Sequence, residues 1–125
     1  MGVKYKTTST KGAKYYVNHC WNDGPGNTAA AVGSGLVPVF GTPYMIALME
    51  NAAVNAIQAA LEEGQGTVGT RLEVTHDAAT PIGLKVWAEA EVTAVEGKKI
   101  TLSVKAFDEK GPIGGGVHER FVITV

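Results

Sequence analysis

The sequence predicts an α+β protein in which one antiparallel sheet wraps around a single long central helix. Two observations lead to this fold class. Residues 41–63 have the pattern of one long and mostly buried helix, and residues 66–125 alternate between apolar and polar types in segments separated by turn residues. Because 125 residues suit one domain and no internal repeat is visible, we expect residues 1–125 to fold as a single domain.

The part of the chain before the helix gives weaker signals. Residues 1–12 are polar and mildly basic without a sustained period, so we predict a flexible arm. Residues 14–21 are rich in aromatic and β-favouring types and predict a first strand, which stops at the turn-rich residues 22–27. Residues 28–40 contain a flexible Gly-Ser-Gly stretch, and residues 33–36 are either a lid or an ordinary connection.

The predicted central helix has recognisable ends. Thr42 can cap the free N–H groups of the first turn, Pro43 suits the first helical position, and Gly64 follows the last turn. At about 100° per residue, most polar side chains fall on one narrow stripe. Glu50 departs from this pattern, because it falls among the apolar side chains Ile46, Val54, Ile57 and Leu61.

The strands follow from alternation. Residues 66–77 place Gly69 on one face, and the opposite face, which we expect the helix to cover, carries Val68, Thr70, Leu72, Val74 and His76. Residues 84–94 and 98–107 alternate more cleanly and predict a half-buried hairpin. Residues 112–125 predict the last strand, whose three central glycines suggest a bulge, a bend or the close approach of another backbone or a ligand.

The two periodicities place Glu50 and His76 in the same layer between helix and sheet. A carboxylate there is costly to ionise without a partner, and a carboxylate with a perturbed pKa beside a cavity is a candidate acid, base or nucleophile. The alternative is a slightly rotated helix that lets Glu50 reach water at the edge of its stripe. His76 alone would more often be a satisfied core residue, but a facing carboxylate favours a role in proton transfer.

Composition excludes several classes of function. Lys and Arg number 11 against 12 Asp and Glu, so the charge balance gives no reason to expect nucleic acid or an anionic membrane as a partner. Cys20 is the only cysteine, and neither it nor His19 has a second ligand at metal-site spacing, so we expect no disulfide and no metal. The sequence shows no signal peptide and no transmembrane-length apolar run, which leads us to expect a cytoplasmic protein.

Three segments, VFGTPYMIALMENAA, GTVGTRLEVTHDAATPIG and IGGGVHERFVI, resemble the hot-dog-fold acyl-CoA thioesterases in their order and spacing, most closely the fluoroacetyl-CoA thioesterase-like group. The resemblance runs from about residue 28 to residue 125. It implies the hot-dog fold and hydrolysis of a short-chain acyl-CoA, with coenzyme A as part of the substrate and no separate cofactor. It also implies a homodimer with the acyl-CoA site between subunits, and it leaves open whether dimers pair further into a tetramer.

The resemblance also assigns residues. It implies that Thr42, Glu50 and His76 are catalytic and that Gly69 lies beside the thioester carbonyl. In the loop before the helix the fluoroacetyl-specific pattern is aromatic, whereas this chain has Gly33-Ser34-Gly35-Leu36. The identity of the acyl group is therefore left open. We predict substrate contacts from Gly69, Leu36, Phe40, His118 and Arg120.

Alternatives remain for the residues and for the function. Thr42 has a sufficient explanation as a helix cap, and His118 and Arg120 are either solvated charges or ligands of coenzyme A phosphates. Glu50 either activates water or attacks the acyl carbon itself, with Thr42 as its hydrogen-bond partner or as an alternative nucleophile. The functional alternatives are a non-catalytic module that binds acyl-CoA or a small apolar ligand, and a hot-dog enoyl-CoA hydratase.

Overall fold

The computed structural model describes residues 15–16, 29–36 and 39–125, and the predicted arm, the turn at residues 22–27, His19 and Cys20 lie outside them. The elements in chain order are β1 (Tyr15–Tyr16), α1 (Ala29–Val32), α2 (Thr42–Gln58), β2 (Gln65–His76), β3 (Lys85–Glu96), β4 (Lys99–Asp108) and β5 (Gly111–Thr124). The strands form one antiparallel sheet in the order β1-β3-β4-β5-β2. The predicted combination of one long helix with an antiparallel sheet is therefore confirmed.

Helix α2 is shorter than predicted and begins differently. Gly41 is the residue that precedes the first helical turn, and no side chain caps it, so the predicted capping role of Thr42 is wrong. Pro43 lies in the first turn, as expected. The helix ends at Gln58 because the next amides bond three residues back, from Ala60 to Ile57 and from Leu61 to Gln58, which tightens the last turn.

The face of α2 that packs on the sheet differs from the predicted stripe. It consists of Met45, Leu48, Met49, Ala52, Ala53, Ala56 and Ile57. The facing residues of the sheet core are Val86, Ala88, Ala90, Ile100, Leu102, Val104, Ala106, Ile113 and Val122. Small alanines let the helix approach the sheet closely, so α2 is rotated and Ile46 and Val54 are only half-buried. Glu50 consequently lies at the edge, as the alternative interpretation holds, with its side chain 43% exposed.

Strand β2 contains a bulge that the sequence pattern does not reveal. Its pairing with β5 shifts between Gly69 and Arg71, so Thr70 is an extra residue. The predicted strict alternation is therefore wrong in the first half of the strand, where Val68 is 43% exposed and Thr67 and Gly69 face the helix side. Beyond the bulge the prediction is correct, with the inner face formed by Leu72, Val74 and His76.

The hairpin of β3 and β4 has the predicted alternation, and every second side chain from Val86 to Ala90 and from Ile100 to Ala106 is buried. In β5 a Cβ on Gly114 would collide with the carbonyl oxygen of Thr75 and lie 3.0 Å from Met45 Sδ. The central glycines thus permit the close approach of another backbone, one of the three predicted reasons.

Candidate active site

The first group of candidate residues lies where α2 begins and β2 ends. Thr42 is the first residue of α2, His76 is the last residue of β2, and Thr42 Oγ1 lies 2.8 Å from His76 Nδ1. We call these two residues the Thr42 pair. The Thr42 hydroxyl thus bonds to an imidazole from another element instead of to its own helix. A hydroxyl on an imidazole is an arrangement that can activate an oxygen or move a proton.

The electrostatics of His76 favour its neutral form. Burial lowers the pKa of His76 from its ordinary value of 6.5, while the Ala78 backbone and the Asp77 carboxylate oppose this shift. Its Nε2 atom is buried and has no hydrogen-bond partner within the described part of the chain. Since a neutral imidazole has one N–H and one lone pair, Nε2 remains free to exchange a hydrogen bond with a bound ligand.

A cavity of about 220 Å³ opens beside the Thr42 pair. Phe40, Ala29, Ala78 and Ala79 line it together with the pair, and Phe40 is 1% exposed. Small apolar residues around one aromatic ring suit a small apolar group, and Asp77 adds one charged residue to the lining. Leu36 is 97% exposed and does not line this cavity, so its contact with a substrate stays a prediction.

A buried polar contact that the sequence pattern did not indicate supports the wall of this cavity. Thr80 is fully buried and donates a 2.7 Å hydrogen bond to Asp108, which is 4% exposed and also accepts from the Lys110 amide. The Thr80 carbonyl accepts the Phe40 amide at 2.9 Å. The loop after His76 is therefore tied both to the turn between β4 and β5 and to the segment before Thr42.

The second group surrounds the carboxylate of Glu50. Arg120 Nη1 lies 3.4 Å from Glu50 Oε2 and 3.1 Å from His118 Nε2, and its other nitrogens donate to Thr67 Oγ1 and to the Thr67 carbonyl, both at 2.9 Å. We call Glu50, Thr67, His118 and Arg120 the Glu50 cluster. Burial lowers the pKa of Arg120 while the charge and hydrogen bond of Glu50 raise it, and a guanidinium remains charged throughout.

The Glu50 cluster corrects the interpretation of two residues on β5. His118 is 1% exposed and Arg120 is 6% exposed, so the alternative that they are solvated surface charges is wrong. Both are tolerated inside because other elements supply partners, which are Glu50 from α2 and Thr67 and Arg71 from β2. Their contact with coenzyme A phosphates stays a prediction.

Gly69 stands against this cluster because of the bulge. A Cβ at Gly69 would lie 2.8 Å from Glu50 Oε2 and 3.1 Å from His118 Cε1. The missing side chain thus leaves space for the Glu50 carboxylate. The predicted place of Gly69 beside the reacting carbonyl stays a prediction. The carboxylate next to Gly69 belongs to Glu50, which is one of the three candidate catalytic residues.

The structure brings the candidate residues together in two groups. Thr42 and Glu50 are eight positions apart on α2, which corresponds to about 12 Å along the helix axis. No hydrogen bond or ion pair among the described residues joins Glu50 to His76. The expectation that both side chains point into one layer between helix and sheet does not hold for Glu50, because the rotation of α2 places it at the edge and directs it towards Arg120.

Two further observations bear on cofactors and membranes. In residues 15–16, 29–36 and 39–125, no three His, Cys, Asp or Glu side chains are grouped so as to hold a metal ion. The helices described there are all too short or too polar to cross a membrane.

Comparison with solved structures first gives the class. The chain superposes on a hot-dog-like protein from Thermanaerovibrio acidaminovorans with a TM-score of 0.74 and 28% identity, covering 94% of this chain and 85% of that one. The predicted hot-dog fold is therefore confirmed. Residues 24–125 match the family model described as FlK, fluoroacetyl-CoA-specific thioesterase, and the chain belongs to this family.

Sequence and structure comparisons both find fluoroacetyl-CoA thioesterases similar to this chain. The fluoroacetyl-CoA thioesterase of Streptantibioticus cattleyicolor is 49% identical over 85 residues, which are 68% of this chain and 61% of that protein. A variant of the fluoroacetyl-CoA-specific thioesterase FlK, solved in complex with fluoroacetate and CoA, superposes with a TM-score of 0.82 and 35% identity. That superposition covers 100% of this chain and 97% of the other.

Proposed function

We propose that the protein is an acyl-CoA thioesterase that hydrolyses a short-chain acyl-CoA to the free acid and coenzyme A, with no metal or redox cofactor. The observation that carries the proposal is the Thr42 pair at the edge of a cavity of about 220 Å³. It is a hydroxyl bonded to an imidazole whose second nitrogen has no partner among the described residues. Membership of the family and the CoA complex of a family member support the substrate class.

Thioester hydrolysis requires an attacking oxygen, a carrier for its proton and a stabiliser for the developing oxyanion. In one route Glu50 activates a water molecule, and in the other the Glu50 carboxylate or the Thr42 hydroxyl attacks the acyl carbon. In every route the C–S bond breaks and the departing thiolate takes up a proton. When Glu50 activates water, this is the proton that Glu50 took from the water, and when Thr42 attacks, it is the hydroxyl proton that His76 accepted. An acyl group left on Glu50 or Thr42 is released as the free acid by a second step in which water attacks it, and after attack by the Glu50 carboxylate this water also supplies the proton for the thiolate. Backbone N–H groups at the start of α2 or near Gly69 can stabilise the oxyanion.

We propose that the active form is a homodimer, or a tetramer built from two dimers. Among the described strands β2 pairs only with β5, so its other edge is unpaired, and an unpaired edge is a surface on which a second copy can add a strand. Exposed apolar side chains lie nearby, with Val68 at 43% and its cross-strand neighbour Phe121 at 41%. A second copy also offers a way to bring a Thr42 pair near a Glu50 cluster. Light scattering at micromolar concentration tests this proposal, and a monomer contradicts it.

The activity is tested by thiol release from a panel that includes acetyl-, fluoroacetyl-, propionyl- and butyryl-CoA. Folded protein that hydrolyses none of them above background contradicts the proposal. Loss of the enoyl absorbance of a short enoyl-CoA without thiol release would instead indicate a hydratase. Saturable binding of an acyl-CoA that stays intact over hours, measured by calorimetry, would indicate a binding module. We further propose a cytoplasmic location, where acyl-CoA substrates occur, and fractionation of cells that express the protein tests it.

A further inference from the structure

The surroundings of His118 determine which of its ring nitrogens carries the proton. Nδ1 lies 2.8 Å from the carbonyl oxygen of Arg71, which can only accept, so Nδ1 must be the N–H donor. Nε2 lies 3.1 Å from Arg120 Nη1, which can only donate, so Nε2 must be the acceptor. His118 is therefore neutral, with its single proton on Nδ1.

The lone pair on His118 Nε2 completes the set of contacts that holds Arg120. The guanidinium is planar, and hydrogen bonds to both oxygens of Thr67 fix one of its edges. The contact from Nη1 to His118 Nε2 fixes a third point of the plane. The longest contact of the group, at 3.4 Å, is the one to Glu50. Arg120 is thus held by residues other than Glu50 and presents its charge to the carboxylate.

Within residues 15–16, 29–36 and 39–125, Arg120 is the partner of the Glu50 carboxylate in both a hydrogen bond and an ion pair, and no other partner is seen. Its side chain is 43% exposed, whereas that of Arg120 is 8% exposed. A glutamate side chain in water samples several rotamers, and ordering it costs conformational entropy. A fixed cation beside the carboxylate selects one orientation before a substrate arrives, which is the arrangement that catalysis favours.

We propose that His118 is a positioning residue, whose neutral Nε2 keeps Arg120 where it orients Glu50 for the reaction, and that His118 does not touch the substrate. The inference rests on the proposed function of Glu50 in thioester hydrolysis. It replaces the predicted substrate contact of His118, since a side chain that is 1% exposed with both nitrogens engaged has no free polar atom to offer.

Two substitutions separate the two nitrogens of His118. In His118→Asn the amide nitrogen reaches the position of Nδ1 and can still donate to Arg71, but nothing replaces Nε2. In His118→Gln the amide oxygen reaches the position of Nε2 and can still accept from Arg120. We expect Asn to lower kcat about ten- to a hundredfold with KM nearly unchanged, because displacing a reacting group by about 1 Å can cost about a hundredfold. We expect Gln to restore most of the loss.

Val122→Ala is the matched control, because Val122 is buried on the same face of β5 and forms none of these bonds. It should lower the melting temperature while kcat stays within about twofold. Three kinetic results would overturn the proposal: kcat of His118→Asn close to that of the wild type, a rise in KM alone, or Gln no more active than Asn. Activity that falls in Val122→Ala in step with stability would equally favour a purely structural role.

A spectroscopic arm tests the proposal without turnover. The imidazole ¹⁵N spectrum should contain one ring, absent from His118→Asn, with a protonated Nδ1 and an unprotonated Nε2. The Arg120 side-chain N–H signals should exchange slowly with water in the wild type and rapidly in His118→Asn. A protonated Nε2, or Arg120 signals that the substitution leaves unchanged, would overturn the inference. If both signatures appear but no acyl-CoA is hydrolysed, the positioning of Arg120 stands and the proposed function fails.

Discussion

The Thr42 pair and the Glu50 cluster differ in how completely their polar atoms are engaged. The pair is held by one hydrogen bond and has a buried Nε2 without a partner among the described residues, beside an open cavity. In the cluster, Arg120 contacts three residues and both ring nitrogens of His118 are used. A ligand can therefore still form new hydrogen bonds at the Thr42 pair, whereas the Glu50 cluster is organised before any ligand arrives. Substitutions in the two groups should therefore fail in different ways.

The largest effect is expected from Glu50→Gln, which keeps the shape of the side chain and an acceptor for Arg120 but removes the charge. We expect turnover to fall at least about a hundredfold, since general acid-base groups supply factors of about 10² to 10⁴. Because Gln removes the charge that faces the buried Arg120 guanidinium, we also expect a loss of about 1–3 kcal/mol of stability in a protein that stays folded. Thiol release and thermal melting measure the two effects. Turnover near that of the wild type would remove Glu50 from the mechanism.

The next largest effect is expected from a substitution in the Thr42 pair. Thr42→Val removes the hydroxyl that bonds to His76, and we expect turnover to fall at least about tenfold, because removing one positioned proton-transfer partner has effects of this order or larger. Stability should change little, because no side-chain cap is lost when Gly41 precedes the helix. Thr42→Ser is the matched control, since it keeps the hydroxyl. Full activity of Thr42→Val would remove this hydroxyl from the mechanism.

Two glycine substitutions sharpen the contrast between site and scaffold. In Gly69→Ala the new methyl group meets the tip of Glu50 at 2.8 Å, so the carboxylate must move, and we expect a several-fold loss of kcat with a fold that persists. In Gly114→Ala the methyl group meets the Thr75 backbone, which cannot move aside, so we expect a loss of about 1–3 kcal/mol of stability. Melting curves and kinetics on both variants test this, and full activity of Gly69→Ala would show that Glu50 tolerates displacement.

Much of this organisation could be predicted from the sequence where the cause is local. The existence of α2 and the alternation of β3 and β4 follow from periodicity. Thr42, Glu50 and His76 are marked as candidates by the motifs that resemble those of the hot-dog thioesterases. The orientation of α2 could not be predicted in this way, because the hydrophobicity of Ile46 and Val54 favours them as core residues. Close packing on the sheet instead selects alanines and methionines.

The remaining errors have causes outside the local sequence. The bulge at Thr70 depends on how β2 pairs with β5, and a strict period of two cannot reveal an inserted residue. His118 and Arg120 look like surface residues, and their burial is tolerable only because Glu50 and Thr67 are brought to them from other elements. A carboxylate on the apolar side of a predicted helix does indicate that a cation lies opposite, but it does not identify which cation.

The smallest expected effect concerns the pKa of His76. Burial lowers this pKa below 6.5 in the folded protein, so between the two values the unfolded chain binds more protons, and this contribution to stability falls as the pH falls through that window. The neutral imidazole that a base requires should correspondingly persist below pH 6.5. Asp77→Asn removes a charge that opposes the shift, so the midpoint should move lower still, and only slightly because Asp77 is exposed. Titration of the His76 ring protons by NMR measures both midpoints. A wild-type midpoint above 6.5 would mean that nearby carboxylates, and not burial, dominate at the Thr42 pair, and a higher midpoint in Asp77→Asn would contradict the role assigned to the Asp77 charge.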